Sequence, residues 1–172
     1  VTDSMDSRDG LISQLSEEIG VSVVARDNND VAIYTDGGVA LFETHARQVS
    51  FQSTNVFNAS TVGNAVYVDG VAVVGGSSSM PSNSGRLAGL ATLRDEACVT
   101  YQSQLDEVAR GLIEAFAESD PSGAGPNVPG LFTWPTGTIP ASATIETGLA
   151  GVISVNPAID PTAGGNLDRI RD

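Results

Sequence analysis

Val66-Tyr67-Val68-Asp69-Gly70-Val71-Ala72-Val73-Val74 reads as a complete β-hairpin. Apolar, mostly β-branched runs flank an Asp-Gly pair. A two-residue type I′ turn needs positive φ at both central positions, and Asp-Gly supplies it. Working towards the N-terminus, Val39 to Phe42, Val31 to Thr35 and Val21 to Arg26 have the same β character. Turn clusters separate them at Asp36-Gly37-Gly38 and Asp27-Asn28-Asn29-Asp30. Residues 21–84 are thus expected to form a small antiparallel β subdomain, ending in the loop-forming Gly/Ser/Pro/Asn run from Gly75 to Ser84.

Helical periodicity flanks the β subdomain on both sides. Met5, Ile12, Leu15 and Ile19 recur at helical spacing, which predicts a helix over about 4–19, with Gly20 suited to a left-handed C-cap. After the β region, Leu90, Leu93, Ala97, Tyr101, Leu105, Val108, Leu112 and Phe116 step by three or four residues. They predict one long helix over 86–118, with a narrow stripe of the kind that packs along other helices. Asp120-Pro121-Ser122-Gly123 stops it, and the Pro/Gly-rich remainder, 120–172, offers short strands near Leu131-Phe132 and Val152–Val155. The expected class is α+β, with helical stalk segments, an inserted antiparallel β subdomain and an irregular β-containing tail. The excursion leaves the stalk near Val21 and returns near Ser84. The two helices could then pack Ile12, Leu15 and Ile19 against Leu90, Leu93 and Ala97, with Arg8-Asp9 and Arg94-Asp95 close to the seam.

Composition narrows the function. The 172 residues carry a formal net charge of −13 and contain eight basic residues, all of them Arg. A field of that sign repels phosphate backbones and anionic lipid, so neither nucleic acid nor membrane is an expected partner. It also disfavours self-association, so the chain alone is expected to be mainly monomeric. A single cysteine, Cys98, excludes an internal disulfide, and no apolar run is long enough to span a bilayer.

Candidate chemistry fails on spacing. His45 is the sole histidine and lies near no metal-ligand pattern. Cys98 falls in the long helix, where a packed, inert thiol is expected. Both should be replaceable without loss of function. Asp27-Asn28-Asn29-Asp30 lacks the later ligands and the glycine of a calcium loop, since Val31 and Ala32 occupy those places. Gly75-Gly76-Ser77-Ser78-Ser79 lacks the spacing of a nucleophile elbow. Gly123-Ala124-Gly125 is followed by Pro126, which removes an amide that a phosphate cradle needs. Asn58-Ala59-Ser60 matches a glycosylation acceptor by three residues only. The expectation is no catalytic, cofactor-binding or metal-binding residue, no cofactor, and no enzyme.

Three blocks carry a likeness. Asp6-Ser7-Arg8-Asp9-Gly10-Leu11-Ile12-Ser13-Gln14-Leu15-Ser16 leads to Ile19-Gly20-Val21. Ser84-Gly85-Arg86-Leu87-Ala88-Gly89-Leu90 leads to Leu93-Arg94-Asp95 and Tyr101-Gln102-Ser103-Gln104-Leu105-Asp106-Glu107-Val108-Ala109. The third runs from Ile153 to Pro161, with Gly164-Gly165 and Arg171-Asp172. In order and spacing they resemble the middle portion of the flagellar hook-associated proteins of the hook–filament junction. That family often has proline near the middle of the second block, whereas Ala97-Cys98-Val99-Thr100 has none. The resemblance implies a structural protein of the bacterial flagellum, secreted through the flagellar export apparatus and needed for flagellum assembly and motility. It implies other axial proteins as partners, namely the hook protein, the second junction protein and copies of itself in the full-length protein. A surface β binding or adhesion module of another axial appendage is the alternative. It would show a concave aromatic patch on the β subdomain, drawn from Tyr34, Phe42, Phe51, Phe57, Tyr67 and Trp134.

Overall fold

The computed structural model describes residues 2–120, 123–142 and 144–170. Pro121, Ser122, Arg171 and Asp172, used in the sequence reading, lie outside them. The chain mixes helix with small antiparallel sheets, as expected of an α+β protein, and divides into two compact units. The first holds residues 2–57 and 61–98; the second holds 58–60 and the chain from 99 onward.

In the first unit, helix α1 (Thr2–Glu18) leads into β1 (Val21–Ala25), β2 (Val31–Thr35) and β3 (Ala40–Phe42), an antiparallel sheet in that order. Between β1 and β2 the expected turn forms as a tight left-handed turn, with Asn28 and Asn29 at φ 61° and 60°. Asparagine tolerates that region better than other non-glycine residues. A second sheet pairs β4 (Val49–Phe51) with β5 (Val66–Val68) and β5 with β6 (Val71–Val74). The Asp69-Gly70 hairpin forms as read, with φ of 47° and 82°. Strand β4 is too short to leave a pattern in the sequence.

Helix α2 (Arg86–Thr92) follows and continues through a π-helical turn, Leu93–Ala97. Ile19, Val68, Val73 and Val74 form the buried core of this unit, with Leu15, Val66, Leu87 and Ala91 packed around them. Where the sequence predicts a seam between α1 and α2, Leu15, Leu87 and Ala91 pack on this cluster. Leu90 and Leu93, expected in that seam, are each 52% exposed.

The second unit is built on α3 (Cys98–Ala115). The helical run over 86–118 is thus interrupted by a π turn and ends earlier than its sequence suggests. Ala117–Glu118 form strand β7, paired antiparallel with β8 (Val128–Pro129). Strands β9 (Phe132–Thr133) and β10 (Ser154–Val155) pair where short strands were expected. Ala109 and Ile113 of α3 bury against Leu149, with Phe132, Trp134, Ala150 and Ile153 around them. The ring of Phe116 meets that of Phe132 edge-on at 5.5 Å.

Candidate functional site: the stapled excursion and the open helix face

The β excursion begins and ends at one place. The Gly20 N–H donates to the Ser84 carbonyl at 2.9 Å, and the Asp36 N–H donates to the Gly20 carbonyl at 2.9 Å. The Asp36 carboxylate accepts from the Ser84 hydroxyl (2.9 Å) and the Asn83 N–H (3.1 Å). Arg86 pairs with Glu18 across the same junction at 3.0 Å. Two glycines make the approach possible. A Cβ on Gly20 would collide with Ser84 Oγ and the Asp36 carboxylate. Gly20 is therefore needed for closeness; the left-handed φ expected of it is not adopted. Gly85 has φ 86° and ψ 171°, a region essentially confined to glycine, and a Cβ there would lie 2.7 Å from Ile19 Cα.

Arg94 and Asp95 form a second fixing point. Arg94 donates to both carboxylate oxygens of Asp95 (2.6 and 2.8 Å) and, through Nη1, to the Asn64 carbonyl (2.9 Å). This is the bidentate geometry that Lys cannot reproduce. Arg8 touches only one oxygen of Asp9, and reaches the Asn29 carbonyl at 2.9 Å. The Arg8–Asp9 pair is also the more exposed of the two. Arg94→Lys is accordingly expected to cost roughly 1–3 kcal/mol and Arg8→Lys less than about 1 kcal/mol, measured by thermal or urea unfolding.

These carboxylates set an acid limit on stability. Burial pushes Asp36 up, but its hydrogen bonds, among them those from the Ser84 hydroxyl and the Asn83 N–H, outweigh it and hold the group below its usual 3.8. The Arg94 hydrogen bond does the same for Asp95. A carboxylate depressed in the folded state stabilises fully above its unfolded pKa and loses that contribution as pH falls through the folded value. The melting temperature should therefore stay level from about pH 7 to 5 and drop below about pH 4. A level profile down to pH 2.5 would contradict these bonds.

In the second unit the key polar group is Asp106, 1% exposed. It accepts from the N–H of Gly148 (2.8 Å) and of Ala150 (2.9 Å), capping the 3-10 turn at Leu149–Gly151, and from Gln102 Nε2 (3.1 Å). Asp106 and Ala109 belong to the second likeness block, and here they hold α3 to the tail. In the third block, Asn156 donates to the carbonyls of Pro129 (3.0 Å) and Gly130 (2.9 Å).

The stripe read from sequence lies elsewhere on α3. Tyr101 (65%), Leu105 (56%), Val108 (60%) and Leu112 (38%) are exposed, while the adjoining face with Asp106, Ala109 and Ile113 forms the core. The exposed positions step by four, three and four residues, the spacing of a coiled-coil seam. The other charges of the helix, Glu107, Arg110 and Glu114, lie on the far side and pair there. Arg110 donates to both oxygens of Glu107 (2.7–2.9 Å) and to Glu114. The stripe thus lies outside the buried core of this unit.

The residues weighed for chemistry are dispersed. The His45 ring is exposed and meets the Thr44 hydroxyl at 3.2 Å. Cys98 is exposed at the first residue of α3. Asp27 to Asp30 is the tight turn between β1 and β2. Among the described residues no group of three His, Cys, Asp or Glu side chains could hold a metal ion. No described helix is long and apolar enough to cross a membrane.

A family model described as the flagellar hook-associated protein FlgK helical domain matches residues 1–130. The chain belongs to that family. It is 29% identical over 127 residues to flagellar hook-associated protein 1 of Escherichia coli (strain K12), covering 72% of this chain and 22% of that protein. The chain thus spans about a fifth of the curated relative's length. No solved structure matches it. The family match includes the stapled excursion, the Arg94–Asp95 pair and all of α3.

Proposed function

We propose that this chain is a non-enzymatic structural segment of a bacterial flagellar axial protein, working outside the cell where hook joins filament. Membership of the hook-associated family supports this, and so does the name of its Escherichia coli relative. The observation that carries it further is the uncharged heptad seam left open on α3. Such a seam has the geometry to take another α-helix by knobs-into-holes packing. In this reading α1 and the 86–115 helical run are stalk segments, and the β region is an insertion that leaves and rejoins the stalk at the Gly20–Ser84 staple. Helical parts of the full protein lie along Tyr101, Leu105, Val108 and Leu112. The partners are other axial proteins, namely the hook protein and the second junction protein, and further copies of the same protein. Deleting the corresponding gene should give cells with hooks and no filaments, seen by electron microscopy. Normal filaments on the deletion strain would refute the junction role.

A further inference from the structure

Strand β1 is an open sheet edge. Its register with β2 sets Ala25 opposite Val31 and Val21 opposite Thr35. Beyond one end the Arg26 N–H donates to the Asp30 carbonyl at 2.8 Å, and beyond the other the Asp36 N–H donates to the Gly20 carbonyl at 2.9 Å. An antiparallel pair bonds alternate residues, so these two bonds fix which residues of β1 face β2. Gly20, Ser22, Val24 and Arg26 turn their peptide groups inward; Val21, Val23 and Ala25 turn theirs outward. The outward N–H and C=O groups make no hydrogen bond among the described residues. The other edges of the unit are closed or short. Arg47 N–H donates to the Leu41 carbonyl of β3 (2.9 Å), and Ser82 N–H to the Val73 carbonyl of β6 (2.8 Å). Strand β4 has only three residues. By contrast β1 has five, with no charge, no proline and no register shift to guard it. Val23 and Val24, on its two faces, are 42% and 48% exposed.

A row of outward peptide groups selects its own occupant. Extended backbone presents N–H and C=O groups at the matching spacing, so a strand completes this edge. Charge narrows the choice. The turn at the Ala25 end carries Asp27 and Asp30, whose side chains form no ion pair among the described residues, while Arg26 beside them is engaged by Glu43. A basic side chain is therefore favoured there. This chain has 8 basic residues against 21 acidic ones, so a second copy supplies that partner poorly.

We propose that β1 takes an extended segment of a different protein as a fourth strand of this sheet, apolar or β-branched beside Val23 and Val24 and with a Lys or Arg near Asp27 and Asp30. The main chain supplies the hold, and the basic residue sets which way round the segment lies. This contact stands whether or not the chain serves in the flagellum. The test is amide exchange, followed by NMR on the 172-residue chain, with the end-blocked peptide Lys-Val-Thr-Val-Thr-Val and with its counterpart starting in Glu. The expected result is roughly tenfold slower exchange at Val21, Val23 and Ala25 once the lysine peptide is about tenfold above its Kd, and weaker binding of the glutamate peptide. The Val23 N–H points away from β2, so Val23→Pro spares the ladder and should lose the effect while keeping the melting temperature within a few degrees. Should that variant fail to fold, a fully N-methylated lysine peptide, stripped of its donors, gives the same reading by leaving exchange unchanged. Unaltered exchange at these three amides in millimolar lysine peptide would overturn the proposal, as would a glutamate peptide that binds no more weakly. Protection of the same amides that grows with chain concentration alone would also overturn it, by making a second copy the occupant.

Discussion

Gly85→Ala is expected to destabilise the first unit by roughly 2–6 kcal/mol. Two independent costs add. Alanine would have to hold φ 86° and ψ 171°, and its Cβ would lie 2.7–2.8 Å from the Ile19 and Glu18 backbone. Those atoms are main chain and cannot swing aside as a side-chain tip can. Relief would require parting the Gly20–Ser84 staple. Gly89→Ala is the control: nothing lies within 4 Å of its Cβ position, and it sits inside α2. That change should be neutral or stabilising by up to about 1 kcal/mol. Urea unfolding of the two variants distinguishes a required backbone from a general sensitivity of the helix. Equal stabilities would mean that the excursion is not closed at Gly85.

Asp106→Ala is expected to cost roughly 2–6 kcal/mol in the second unit, because two backbone donors lose their partner together. Gly148 and Ala150 both point at this carboxylate. Asp106 is 1% exposed, so little water reaches the vacated position. Glu107→Ala, one residue along on the exposed side, should leave the stability close to that of the parent, since it removes only a surface pair with Arg110. Loss of protection in amide exchange at Gly148 and Ala150, with the α3 amides around Arg110 unaffected, would localise the damage to the capped turn.

The sequence was most legible where local chemistry and long-range packing agree. Asp69-Gly70 admits few alternatives to a tight hairpin, and the hairpin is there. Turn-forming residues on both sides of the β region suggested where it leaves and rejoins the helices, and the Gly20–Ser84 hydrogen bond lies between those two places. Gly20 shows the converse. Its place after the last apolar residue of α1 suited a helix cap, while its use is a close approach to Ser84 and Asp36, residues distant in sequence. Leu93 and Leu105 were visible as a stripe, but periodicity reports only that a face is apolar. It does not say whether the chain's own core covers it. The core face of α3 was hidden because a carboxylate, Asp106, sits in its middle. In the tail, Leu149 and Ile159 are buried from irregular backbone with no period to read. Strands of two or three residues, such as β4, β7 and β8, leave no pattern of their own.

The contrast between a filled core and an open seam on the same helix gives the structural account its most direct test. Leu105→Asp with Leu112→Asp should leave the melting temperature of the isolated chain within a few degrees of its original value, because both side chains already face water. In cells, the full protein with the same pair should give hooks that lack filaments, with the variant still exported. Full-length filaments and normal motility from that strain would show that no helix needs the seam, and would contradict the account.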